Sequence, residues 1–131
     1  MKSVLIISDD QDLVTALKTA LWSDQFNFNI LPSHEHVVEQ LIQIKPDLIL
    51  IDFLLNKANG GSLCHEIRGH RDLCRLPLIL LTSYPNIERF TAKFGCNAVV
   101  RKPVMISDLI NTLSLTLEGS AMAPHILEEA S

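Results

Sequence analysis

Short aliphatic runs alternate along the chain with segments whose apolar positions recur at helical spacing. Residues 4–7 (VLII) form a compact β-branched and leucine run, suited to a strand buried on both faces. Leu13, Val14, Leu17 and Leu21 then mark one face of a helix that should end near Trp22. Phe26, Phe28 and Ile30 alternate with Asn27 and Asn29, which predicts a half-exposed edge strand. Ser33 is a candidate cap for a second helix, which carries Val37, Val38, Leu41, Ile42 and Ile44 and is stopped by Pro46.

Residues 48–51 (LILI) predict a third strand that runs directly into Asp52. A loop ending at Gly60 and Gly61 follows, and Ser62 stands where it can cap a helix with Leu63 and Ile67 on one face. Pro77 precedes a fourth strand over 78–81, which ends at Thr82. A short helix over 86–94 is closed by Gly95, residues 98–100 make a brief fifth strand, and Ser107 starts a last helix through Leu109, Leu113 and Leu117. Five β-α units in this order predict an α/β domain, a parallel sheet with helices on both faces. Residues 1–118 are read as that domain. Residues 119–131 show little periodicity and are read as a tail or linker.

A length of 131 residues suits one domain with a single core. The net charge of −4 comes without any cluster of Lys and Arg, which argues against direct nucleic-acid contact through this domain. Cys64, Cys74 and Cys96 are odd in number and form no CxxC pair, so reduced thiols in a cytoplasmic protein are expected rather than disulfides or a zinc site. The apolar runs are far too short to span a bilayer, and acids follow Ile7 too soon for a signal peptide, so no membrane association is expected.

In open parallel α/β folds, functional groups collect beyond the carboxyl ends of the strands. Those ends here carry Ser8, Asp9 and Asp10 after the first strand, Asp52 after the third, Thr82 after the fourth, and Arg101 and Lys102 after the fifth. Crowded carboxylates repel unless a cation intervenes. Magnesium prefers one or two carboxylates together with water and a phosphate oxygen. A lysine supplies a mobile charge for phosphate, and a threonine hydroxyl can donate to a phosphate oxygen. Asp52 is then a candidate nucleophile forming an aspartyl phosphate, with Mg2+ and Lys102 offsetting charge on the transferred group.

The stretches VLIISDDQDL, LILIDFLL, LILLTS and VVRKPV resemble the acidic, phosphoacceptor, threonine and Lys-Pro motifs of response regulator receiver domains, similar to the chemotaxis receiver, over residues 2–117. The resemblance implies a flavodoxin-like, doubly wound five-stranded sheet of order 2-1-3-4-5. It implies a signalling domain of a two-component system, not an enzyme beyond self-catalysed phosphotransfer and autodephosphorylation. By the same resemblance Asp52 is the phosphoacceptor, Asp9 a direct metal ligand, the Leu54 carbonyl a backbone metal ligand, Thr82 the switch hydroxyl and Lys102 the phosphate-binding lysine. Ser8 or Asp10 would serve Mg2+ through water, and Pro103 would follow a cis peptide bond. The implied partners are a sensor histidine kinase or phosphotransfer protein and an output domain or downstream protein. A homodimer is among the assemblies the resemblance allows.

Four positions depart from the family pattern. Ser8 stands in place of the first of two acids, which should weaken magnesium binding more than abolish it. Val99 stands where an aromatic residue is usual, three before the lysine. The segment between Thr82 and Gly95 is about two residues short, and Asn56 replaces a common proline. Taken singly, Asp52 reads equally well as a solvated loop acid, Thr82 as a plain strand-end residue and Lys102 as a surface lysine. Asp10 reads as a helix N-terminal acid, and the five histidines as exposed polar residues. Ser8 and Val99 also support an alternative, a pseudo-receiver that binds proteins without phosphate. A metal-dependent phosphatase on a similar sheet is disfavoured, since it would need a second acid near the nucleophile and Leu54 offers none.

Overall fold

Side chains of successive strand residues point to opposite faces of a sheet, so a strand apolar throughout needs cover on both sides. The computed structural model describes residues 2–20, 26–31, 35–56, 58–119 and 125–126, and it meets that need in full. Strands β1 (Lys2–Ile7), β2 (Phe26–Ile30), β3 (Leu48–Asp52), β4 (Leu78–Thr82) and β5 (Ala98–Arg101) run parallel in the order β2-β1-β3-β4-β5. Helices α1 (Gln11–Ala20), α2 (Val37–Ile44), α3 (Gly60–Arg68), α4 (Thr91–Phe94) and α5 (Ile106–Gly119) follow them in turn. Ile49, Ile51, Leu78 and Leu80 face one core with Leu41 of α2 and Ile67 of α3. Leu48, Leu50, Ile79 and Leu81 face a second core with Leu17 of α1 and Leu113 of α5. The five-stranded parallel sheet and its expected edge strand are present: along β2, Phe26 is buried while Asn27 and Asn29 are exposed.

A short sixth strand, β6 (His125–Ile126), pairs parallel to β5 opposite Ala98 and Val99. It lies within the segment whose sequence suggested only a tail, because two residues carry too little periodicity to signal a strand. The expected ends of two helices, near Trp22 and at Ser33, lie outside the described residues. Within them α2 starts after His36, a left-handed residue with no side-chain cap, and ends at Lys45, also left-handed, just before Pro46. The cap of α3 is Asn59 rather than Ser62: the Asn59 side chain accepts the Ser62 amide at 3.0 Å, and both glycines lie in the first turn. The single helix expected over 86–94 is instead a 3-10 turn (Ile87–Phe90) running into the one-turn α4, closed by left-handed Gly95. The tighter 3-10 winding covers more length per residue, which suits a connection short of residues.

Arg68, in the last turn of α3, fastens the far side of the domain. Its guanidinium donates to the carbonyls of Gly95 (2.6 Å) and Leu76 (2.6 Å) and to the side-chain oxygen of Asn97 (2.8 Å). The same Asn97 oxygen accepts the amide of Leu78, the first residue of β4. One side chain therefore joins α3, the approach to β4 and the approach to β5. Arg68→Ala would leave several half-buried acceptors unpaired and should lower stability by about 2–4 kcal/mol in a urea titration. Arg68→Lys should recover only part of the loss, since an ammonium cannot present the planar fork.

Cys64 and Cys96 are buried and Cys74 is exposed, all three as free thiols. Burial, reinforced by the neighbouring Cys96, pushes the Cys64 thiol far up, and burial pushes that of Cys96 up to about 11. Reactivity follows the thiolate. A thiol-reactive maleimide at neutral pH should therefore label Cys74 alone in the native protein and all three after unfolding, counted by intact mass.

Candidate functional site

The register of the sheet brings the strand ends level. Ile7 pairs with Ile51, so Ser8 and Asp52 are the next neighbours across β1 and β3. Asp52 pairs with Leu81, and Thr82 with Arg101, which places Thr82 and Lys102 one step beyond on β4 and β5. Backbone bonds hold this edge together: Phe53 donates to the Leu81 carbonyl at 2.7 Å, and Lys102 to the Thr82 carbonyl at 2.8 Å. Asp9, Asp10, Asp52, Leu54, Thr82 and Lys102 all line one cavity of about 270 Å³ at the carboxyl edge.

Asp52 is only 3% exposed, and a buried carboxylate needs partners. Both its oxygens have one. Lys102 Nζ lies 2.7 Å from Oδ1, and the Ser8 hydroxyl donates to Oδ2 at 2.5 Å. Lys102 also reaches Asp10 at 3.3 Å. Asp10 caps α1 by accepting the Leu13 amide at 3.1 Å. That bond first, and Lys102 after it, hold the Asp10 carboxyl below the usual carboxylate range despite some burial. Asp10 is thus the expected helix-terminal acid and, in addition, a second neighbour of the lysine.

The loops add further ties. Asp9 accepts the Asn56 amide at 2.7 Å, which joins the β1–α1 loop to the β3–α3 loop. The Thr82 hydroxyl accepts the Tyr84 amide at 3.0 Å. Leu54 forms an isolated bridge with Asn59 and leaves its side chain 67% exposed at the mouth of the cavity. The peptide bond between Lys102 and Pro103 is cis, in agreement with the motif.

A family model for the response regulator receiver domain matches residues 4–114. The chain belongs to this family. It is 28% identical over 119 residues to the sensory transduction protein BceR of Halalkalibacterium halodurans, covering 89% of this chain and 50% of that one. It is 26% identical to the regulatory protein AtoC of Escherichia coli, covering 94% of this chain and 27% of AtoC. Among solved structures, the signal receiver domain of a signal transduction histidine kinase from Syntrophus aciditrophicus superimposes with a TM-score of 0.79 at 27% identity, covering 91% of this chain and 92% of that one. The chain therefore spans half or less of the length of these two curated relatives. Receiver domains are signalling domains of two-component systems. Among the described residues, no helix is long and apolar enough to cross a membrane.

Within this receiver the structure brings together every residue singled out at the strand ends except Arg101, which is exposed and lines no part of the cavity. Sequence reasoning missed three elements. The direct bond from Ser8 to Asp52 depends on strand register, which no motif states. Tyr84 holds the Thr82 hydroxyl through its backbone, which any residue could do, so its side chain gives no signal. Gly60 is the third, and a glycine eight residues after Asp52 was its one visible trace. A Cβ on Gly60 would fall on the Asp52 carbonyl oxygen and lie 2.8 Å from its carbon, while the Gly60 amide donates to Phe53 at 2.7 Å. Only glycine lets α3 start this close to the end of β3. Val99, in place of the usual aromatic, is fully buried in the core beside β4.

Gly60→Ala should push the Asp52 backbone off its position. The expected result is a stability loss of about 1–3 kcal/mol by overpacking, together with amide shifts at Asp52 and Phe53 in a 1H–15N spectrum. Shifts confined to α3, with residues 52 and 53 unmoved, would show that the contact does not position Asp52.

Proposed function

We propose that this receiver is a phosphoacceptor switch in which Asp52 takes a phosphoryl group from a sensor histidine kinase or a phosphotransfer protein. The observation that carries the reading is the buried carboxylate of Asp52 in contact with Lys102 at 2.7 Å, in a cavity that Thr82 and Asp9 also line. An Asp52 oxygen forms a bond to phosphorus as the bond from phosphorus to the donor imidazole nitrogen breaks. The imidazole leaves as a neutral group once it carries a proton, and Asp52 becomes an acyl phosphate. Lys102 moves from the carboxylate to the incoming phosphoryl oxygens, and the Thr82 hydroxyl donates to one of them.

The donor set suits a hard dication. Asp9, Asp52 and Leu54 line one cavity, and two carboxylates with room for water and a backbone carbonyl would match the preference of Mg2+. Those three would hold the ion, and the family pattern would add Ser8 or Asp10 through water. When bound, it would supply neutralisation of charge on the transferred group.

The switch would act in the cytoplasm, where a kinase finds it, and would bias contacts with an output domain, a downstream protein or a second copy. Residues 1–118 would form the switching unit and residues 119–131 a tail or linker. The greater length of BceR and AtoC supports an output partner, covalent or separate. A second reading, a phosphate-independent interaction module, draws on Ser8 in place of the family's first acid and on the small, buried Val99.

Intact-mass analysis after adding magnesium and acetyl phosphate separates the two, with Asp52→Ala beside the wild type. The expected outcome is an adduct of one phosphoryl group on the wild type alone. A folded wild type that takes no adduct over a wide magnesium range would hand the case to the interaction module.

A further inference from the structure

The side chain at position 8 is buried, and its hydroxyl has two partners. Ser8 Oγ accepts the Asp10 amide at 3.0 Å and gives its proton to Asp52 Oδ2 at 2.5 Å. A hydroxyl has one proton to give. That proton goes to Asp52 and one lone pair to the Asp10 amide, and Ser8 is not among the residues that line the cavity where a cation would sit. Lys102 meanwhile sits on the other oxygen, Oδ1. The two donors approach opposite oxygens of one carboxylate, and together they fix the rotation of its plane. An acid at position 8 could not donate in this way, since as a carboxylate it would repel Asp52 and add a fourth negative charge to those of Asp9, Asp10 and Asp52.

We propose that Ser8 is a positioning residue for the phosphoacceptor: it holds Asp52 through Oδ2 and takes no part in holding the metal. This rests on the phosphoacceptor reading of the site and assigns to Ser8 a role different from the water-mediated metal contact that its position in the family suggests. Replacing an acid by a hydroxyl then exchanges one means of setting the carboxylate for another. With a second acid, a bridging cation would align Asp52. With Ser8, the protein's own donors align it before any cation arrives. Preorganisation of this kind acts mainly on the maximal rate of phosphoryl acceptance, and reaches the ion only indirectly, through Asp52.

The test uses the full chain with Ser8→Ala, Ser8→Thr and Ser8→Asp, and two independent readouts. The first is the rate of adduct formation from acetyl phosphate at saturating magnesium, followed by intact mass. The second is the affinity for magnesium alone, from amide shifts in a magnesium titration without phosphodonor. Ser8→Ala should slow adduct formation roughly tenfold, the scale on which a lost orienting contact acts. Its magnesium affinity should stay within about twofold of the wild type, because no ligand to the ion has been removed. Ser8→Thr keeps the hydroxyl and should restore the rate. Ser8→Asp should tighten magnesium about tenfold or more through its added charge.

A wild-type rate for Ser8→Ala overturns the proposal. So does a magnesium affinity that falls in Ser8→Ala, which would make Ser8 a metal-side group after all. A wild type that takes no phosphoryl group at all would instead sink the phosphoacceptor reading. The magnesium titration would then decide alone whether Ser8 serves Asp52 or the ion.

Discussion

The parallel ladder through β1, β3, β4 and β5 is the constraint on which the site depends. Its register is set by apolar burial on two faces, since a slip of one residue would exchange the cores on either side of the sheet. With Ile7 opposite Ile51, Asp52 opposite Leu81 and Thr82 opposite Arg101, Ser8 comes level with Asp52, and Thr82 and Lys102 follow within two steps. No attraction among the functional groups is needed to gather them. They meet because the hydrophobic runs before them have matched lengths.

That gathering has a cost, which the site meets locally. Asp52 is the last residue of a strand buried along its whole length, and its charge would be unfavourable there if unpaired. Lys102 and Ser8 each take one oxygen, and Asp10 extends the pairing on the lysine side. The Asp52 carboxylate is therefore oriented, screened and open to one cavity at the same time. Asp9 and Asn56 join the two loops that flank it, and Tyr84 holds the Thr82 hydroxyl from a third.

Much of this could be read from residue order. The strands are short aliphatic runs bounded by polar residues, and Asp52, Thr82 and Lys102 stand where such runs stop. Helix starts were harder, for a physical reason. Asn59 and Ser62 are both good caps, and the choice between them is made by Gly60 packing on the Asp52 backbone, a contact across the loop. The split of the segment before Gly95 and the two-residue β6 are likewise tertiary outcomes, since neither length supports a periodic signal. The bond from Ser8 to Asp52 spans 44 positions of sequence and follows only once two strands are aligned. Lone residue types carry little; their alignment carries the rest.

Gly60 has one more consequence. The connection from β3 to α3 is held at Phe53 and Gly60 by their backbone bonds and by the lack of room for any side chain at Gly60, and again at Asn56 by Asp9. Between Phe53 and Gly60, Leu54 and Asn56 look outward. The loop behaves as an exchangeable faceplate on a fixed frame. Substitutions in its middle can alter what is admitted to the carboxylate, by bulk, charge or greasiness, while the carboxylate itself stays put. A change of side chain at Leu54 or Asn56 therefore alters the mouth of the cavity while the backbone that carries Asp52 keeps its place.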